Sequence, residues 1–139
     1  MARVMVSGEI DASAERLWNL LVDFGSVGWM PGVTSVEVQG QGEGMSRTIG
    51  EGEQAIVEVL ESIDEQAHQI GYTITQNNPM PVSDYHARCK AVDLGEGRSL
   101  LEWGCDFTPA GTDEASAVAA VEGMYGLMVG WVKESLEAD

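Results

Sequence analysis

The sequence predicts an α+β fold in which an antiparallel sheet packs against one face of a long C-terminal helix. Three observations predict it. Residues 33–108 read as strand after strand, separated by glycine-marked turns. Residues 113–137 contain no proline and carry helical apolar spacing. A short strand and an amphipathic helical stretch precede both. Strands that run together and are flanked by helices, instead of alternating with them, mark α+β architecture and not a parallel α/β sheet.

The first strand is expected over residues 4–10, where side chains alternate. Ser13 then suits a helix N-cap, and Glu15 places an acid in the first turn, at the positive end of the helix dipole. Ala14, Leu17, Trp18 and Leu21 fall at i, i+3, i+4 and i+7, which is one helical face. Gly25 and Gly28 interrupt that helix. Pro31 keeps Met30 out of the α region, so Trp29-Met30-Pro31-Gly32 is loop or a short second helix. Further strands are expected over 33–39, 45–49, 54–63, 68–76, 82–94 and 99–108, for a sheet of about six or seven strands. None of the intervening glycine clusters leads into a helix start or a lysine, so they read as turns and not as phosphate cradles.

The last hairpin admits a register test. A three-residue loop, Glu96-Gly97-Arg98, would pair Ala87 with Phe107, Cys89 with Cys105, Ala91 with Trp103 and Arg88 with Asp106. Small residues would then face aromatics inside and opposite charges would meet outside. The two cysteines become inward neighbours and read as packing thiols; no metal is expected. His68, Ile70, Tyr72 and Ile74 alternate with Gln69, Gly71, Thr73 and Thr75 and form the inward set of their strand. The preceding strand has two readings. An odd-length turn near Asp64 brings Glu58 inward beside Tyr72 or Ile74, and an even one sends it to solvent.

The long helix is expected from Asp113 to Glu137 with Thr112 as a cap, about 38 Å at 1.5 Å per residue. Val118, Val121, Tyr125, Met128, Val129, Val132 and Leu136 share the face that should cover the sheet. Ser116, Ala119, Gly123, Gly126 and Gly130 form a second, small-residue stripe. Interior glycines each cost about 1 kcal/mol relative to alanine. Close approach of a helix, a loop or a second copy of the chain, or room for a ligand, would offset that cost; tolerated weakness is the third possibility.

Composition bounds the function. The chain has 139 residues, the size of one domain. It carries 23 acids against 7 Lys and Arg, a formal charge of −16. Such a surface repels nucleic acid and anionic membrane. The longest apolar run, residues 117–132, is interrupted by Glu122 and falls short of the ~20 residues that span a bilayer. A soluble cytoplasmic protein without membrane insertion is expected. The acids concentrate at turns and outward strand positions, such as Glu43, Glu51, Asp64, Glu96, Glu102 and Asp106. If Glu58 faces inward, it is the one acid expected within the inner surface.

Several segments resemble one family. Ile10-Asp11-Ala12-Ser13-Ala14-Glu15-Arg16-Leu17-Trp18 resembles the opening of START-like SRPBCC proteins, the polyketide cyclase/dehydrase and lipid-transport-like group. The match continues through residues 29–32, 47–50, 58–64, 72–74, 79–82 and Tyr85, and closes at 123–128 and 133–137. It covers essentially the whole chain, as a single START-like domain over residues 1–139. The resemblance implies a helix-grip fold, a curved sheet wrapped around the C-terminal helix and enclosing an apolar cavity. It implies that Glu58 and Leu60 point into that cavity and that Trp29, Met30 and Pro31, and Pro79, Met80, Pro81 and Val82, lie near its mouth. Met30 stands where many relatives carry a polar residue such as His. The family shares no single reaction, so the resemblance implies a pocket and no catalytic set.

Three functions follow as expectations. The first is binding of a small hydrophobic molecule, lipid- or polyketide-like, against a sheet face of Tyr72, Ile74, Tyr85, Trp103 and Phe107, with Tyr125 on the covering helix. The second is a cyclase or dehydratase in which Glu58 is the base and Tyr72 or Tyr85 donates to a developing enolate. The third is an interaction module or homodimer through the glycine stripe. No cofactor is expected.

Overall fold

The computed structural model describes residues 1–138. Strand β1 (Ala2–Ile10) leads into helix α1 (Ala14–Val22), capped by the Ser13 side chain, which accepts from the Arg16 N–H. The predicted apolar face, Ala14, Leu17, Trp18 and Leu21, is the buried one. Residues 23–32 form turns and no second helix, because Gly25, Gly28 and Pro31 leave no uninterrupted stretch for one. The strand expected from residue 33 begins later, as β2 (Val36–Gln39), and is followed by β3 (Ser46–Ile49).

Four longer strands follow: β4 (Ile56–Asp64), β5 (Gln69–Gln76), β6 (Val82–Gly95) and β7 (Arg98–Pro109). Helix α2 (Glu114–Glu137) ends the chain. Asp113, and not Thr112, caps it by accepting from the Ser116 N–H. All seven strands pair antiparallel in the order β1-β7-β6-β5-β4-β3-β2. The core lies between the curved sheet and α1 and α2, with Trp103, Tyr72, Tyr125, Phe107 and Leu60 among its fully buried members.

The β6–β7 hairpin differs from the expected register by two residues. Its loop is the two-residue Glu96-Gly97, both at positive φ (56° and 76°), the type I′ geometry that suits strand twist. That loop moves the pairing by one residue, and an irregularity between Asp93 and Gly95 moves it by one more, so Ala87 faces Cys105, Cys89 faces Trp103 and Ala91 faces Leu101. A shift of two keeps every side chain on its predicted face. It separates the two cysteines, and it places Lys90 opposite Glu102 while Arg88 reaches Asp106 diagonally at 3.1 Å.

The β4–β5 connection decides where Glu58 points. Its loop, residues 65–68, is of even length, which by simple alternation sends Glu58 to solvent. A β-bulge between Leu60 and Ser62 adds one residue and reverses that parity. Leu60 and Ile63 both face the core, Glu61 and Ser62 both face out, and Glu58 comes inward opposite Ile74. Gly71 sits across from the bulge; a Cβ there would lie 2.7 Å from Ser62 Oγ.

On α2 the buried face is Ala117, Val121, Tyr125, Met128, Val129, Val132 and Leu136, with Val118 only half-buried. The helix is long and apolar enough to cross a membrane, with a mean hydropathy of 1.3 over 18 residues, and 33% of that window is buried in this fold. The glycine stripe points away. A Cβ at Gly123, Gly126 or Gly130 would touch nothing within 4 Å, so among the described residues nothing makes the close approach that would offset their cost.

Candidate functional site: an apolar cavity with one carboxylate

A cavity of about 290 Å³ lies between the sheet and α2. The exposed Pro31 and Pro79 stand at its rim, with Met30 and Met80 beside them. Met124, Met128 and Trp131 of α2 form one wall, and Ile49, Ile56 and Ile74 of the sheet form the other. The buried Glu58, Tyr72 and Tyr85 form its polar floor.

The fold brings together Met30, Pro31, Glu58, Tyr72, Ile74 and Tyr85 from the predicted set, and leaves six others outside the cavity lining. Leu60, Trp103 and Phe107 are packed in the core, fully buried. Trp29 is buried edge-on against Trp103, with ring centroids 5.7 Å apart. Val82 packs half-buried on the core at the start of β6. Tyr125 stands behind Tyr85, hydroxyl to hydroxyl. Sequence reasoning missed Ile49, Ile56, Met124 and Trp131. The last two were accessible: with Met128 they continue one helical row beside the sheet-facing stripe.

It also missed Arg47, the residue that makes an inward Glu58 tolerable. Arg47 lies opposite Glu58 in the β3–β4 pair. Its Nε donates to Glu58 Oε1 at 2.6 Å, and its Nη1 donates to the Phe24 carbonyl at 2.9 Å. The guanidinium lies 3.9 Å from the centroid of the Phe24 ring, a cation–π contact. Both charged side chains are buried, 5% and 7% exposed. Arg47 stays behind the wall, whereas Glu58 lines the cavity. Every fully buried side-chain nitrogen or oxygen among the described residues has a partner. Glu58 Oε2 makes no hydrogen bond among them, so this oxygen opens onto the cavity.

The phenols form the rest of the floor. The Trp103 indole N–H donates to the Tyr72 hydroxyl at 3.1 Å. Burial pushes Tyr72 well above the ordinary phenol range, and it raises Tyr85 and Tyr125 as well. At neutral pH all three are un-ionised and offer O–H donors. The Cys89 and Cys105 thiols are also raised, by burial first, and both are buried inside the core. His86 is exposed and pairs with Glu61 at 2.9 Å, and His68 stacks on Trp18; neither reaches the cavity. No cluster of three or more metal-ligating side chains occurs among the described residues.

Comparison with solved structures finds this architecture elsewhere. A protein from Bacillus thuringiensis is 27% identical, covering 97% of this chain and 98% of its own, with a TM-score of 0.85. The protein XoxI from Bacillus cereus is 26% identical, covering 99% and 97%, with a TM-score of 0.84. Norcoclaurine synthase from Thalictrum flavum, solved with dopamine and hydroxybenzaldehyde, shares the fold at 17% identity, covering 99% and 88%, with a TM-score of 0.73. No curated protein sequence matches. One family model, that of polyketide cyclase / dehydrase and lipid transport proteins, matches residues 1–137. Residues 1–137 fit that model from the first strand to the end of α2, so this chain belongs to the polyketide cyclase / dehydrase and lipid transport family.

Proposed function

We propose that the protein binds one small, largely apolar molecule, lipid- or polyketide-like, in the cavity between the sheet and α2. The observation that carries this reading is the 290 Å³ cavity, whose lining is aliphatic, aromatic and methionine-rich around three polar groups. Concave, mostly apolar sites with a few placed polar groups are the usual form of a ligand site, and ~300 Å³ is the small end of their range. At ~30 Å³ per water the space equals on the order of ten waters, which suits a ligand of one or two rings. Met30, Met80, Met124 and Met128, four of the chain's seven methionines, line it. Their flexible thioethers tolerate varied ligand shapes. Family membership supports the same ligand-binding role.

The test is native mass spectrometry of the protein purified from its source, with Ile74→Trp as a cavity-filling control. A mass excess that denaturation releases, and that Ile74→Trp abolishes, is expected. If no molecule co-purifies, and an apolar fluorescent dye binds wild type and Ile74→Trp equally, the reading fails.

A second reading is supported by one observation: a carboxylate and two phenols line the same cavity. A cyclase- or dehydratase-type reaction could use Glu58 as base and Tyr72 or Tyr85 as donor to an enolate oxygen. The Arg47 pairing counts against it, because one of the two carboxylate oxygens is already committed to the guanidinium at 2.6 Å. Unchanged turnover in Glu58→Gln would remove Glu58 from any such mechanism.

A further inference from the structure

We propose that Glu58 Oε2 and the Tyr72 hydroxyl form a selectivity pair that accepts neutral ligands bearing a hydroxyl or N–H donor and rejects carboxylates, free fatty acids included. The inference rests on the cavity-binding reading and specifies the chemistry of its ligand.

Among the described residues, Glu58 is the one charged side chain that lines the cavity, and its charge is negative. Its Oε1 is taken by Arg47, while Oε2 opens inward without a partner among the described residues. An acceptor that opens onto an apolar-walled cavity loses its water when a ligand fills the space, so a ligand that supplies a donor there binds better than one that leaves the oxygen unpaired. Tyr72 supplies the complementary half. Its oxygen already accepts from Trp103, which leaves its own proton to be donated. Burial keeps that phenol protonated. Both side chains project from neighbouring strands, with Leu60 pairing Tyr72 and Glu58 pairing Ile74. Both groups line the one cavity, so a small ligand there can donate to Oε2 and accept from Tyr72.

A carboxylate meets the opposite situation. No Lys, Arg or His lines the cavity. Arg47 is behind the wall, with Nε and Nη1 committed to Glu58 and the Phe24 carbonyl. An anion entering the cavity would lose its hydration beside a like charge and gain no cation.

Three naphthalenes of one shape separate these terms: 2-naphthol, 2-methoxynaphthalene and 2-naphthoate, titrated calorimetrically into the intact protein at pH 7.5. A hydrogen bond to a charged group predicts that 2-naphthol binds at least about tenfold more tightly than 2-methoxynaphthalene. 2-Naphthoate should bind on the order of a hundredfold more weakly than 2-naphthol. In Glu58→Gln the amide oxygen keeps Arg47 and an N–H turns to the cavity. The naphthol preference should then fall to about unity, and naphthoate should gain at least about tenfold. Tyr72→Phe should weaken naphthol and methoxynaphthalene alike, which decides the matter if the Gln variant does not fold. Equal wild-type affinities for naphthol and methoxynaphthalene, or naphthoate binding as well as naphthol, overturn the selectivity pair and leave cavity binding standing. Absence of saturable binding by all three overturns both.

Discussion

Replacing Arg47 by Met tests the energetic logic of the cavity floor. The guanidinium does three things that a thioether cannot: it pairs with Glu58, it satisfies the Phe24 carbonyl, and it covers the Phe24 ring. Removing one partner of a buried pair leaves an uncompensated charge, at a cost of about 3–5 kcal/mol. The orphaned carbonyl adds about 1–3 kcal/mol if no water reaches it. Against a total stability of roughly 5–15 kcal/mol this is a large fraction. In urea, where a domain of this size unfolds with a slope of about 2 kcal/mol/M, the midpoint should fall by about 2 M, and by up to about 4 M if the carbonyl is also left dry. The double variant Arg47→Met/Glu58→Leu isolates the charge. With both ions gone the carboxylate penalty disappears and only the carbonyl remains, so the double variant should be more stable than Arg47→Met alone by about 2 kcal/mol or more. A single-variant cost under ~1 kcal/mol, or a double variant no better than the single, would refute the argument. Either result would mean that water in the cavity already solvates Glu58 and that Arg47 is incidental.

Other outcomes follow from the same packing. Burial raises the folded-state pKa values of Tyr72, Tyr85 and Tyr125 above the ordinary phenol value of 10.0. Their contribution to stability is therefore complete below pH 10 and is lost as pH rises, because the unfolded chain releases phenolic protons that the folded one keeps. Absorbance at the phenolate band should show no titration near pH 10 and then one cooperative rise coincident with loss of circular dichroism; a tyrosine titrating separately near pH 10 would contradict the burial argument. Gly126→Ala should stabilise α2 by about 0.5–1 kcal/mol, since its Cβ would meet nothing within 4 Å. If that variant is instead destabilised and sedimentation shows a dimer dissociating, the stripe seats a second copy of the chain. Cys89 and Cys105 should react with a thiol reagent only on unfolding, because both thiols are buried and held protonated; fast labelling of the native protein would show that β6 and β7 open readily.

The fold was legible where one periodicity dominates a segment. The faces of α1 and α2 follow from 3.6-residue spacing, and the inward sets of β5, β6 and β7 follow from alternation. The β6–β7 register was not fully legible, because a shift of two residues leaves the same side chains inside and satisfies the same pattern. The cavity was legible only as a set of inward residues. Which of them line space and which are packed solid depends on how α2 and the turn at residues 27–32 seat on the sheet. Trp103 and Phe107 have the same inward parity as Tyr85, yet they fall under the helix and only Tyr85 meets the cavity.

Glu58 shows what strand alternation leaves out and where a further constraint was present. Its parity depends on one extra residue at Glu61, and a bulge carries little sequence signature beyond Gly71 across from it. Charge supplies the missing constraint. A carboxylate placed among Tyr72, Ile74 and Leu60 needs a cation, and of the seven Lys and Arg residues Arg47 stands on the adjacent arm of the β3–β4 hairpin. If Glu58 faces in, Arg47 must face in with it; if Arg47 faced solvent, Glu58 would have to as well. The pair is thus one decision made twice in the sequence. Buried ion pairs contribute little net stability compared with well-packed apolar residues. An apolar pair at these positions would build the same sheet more cheaply, but it would remove the Oε2 acceptor. The ion pair is therefore better explained by what it presents to the cavity than by what it adds to the fold.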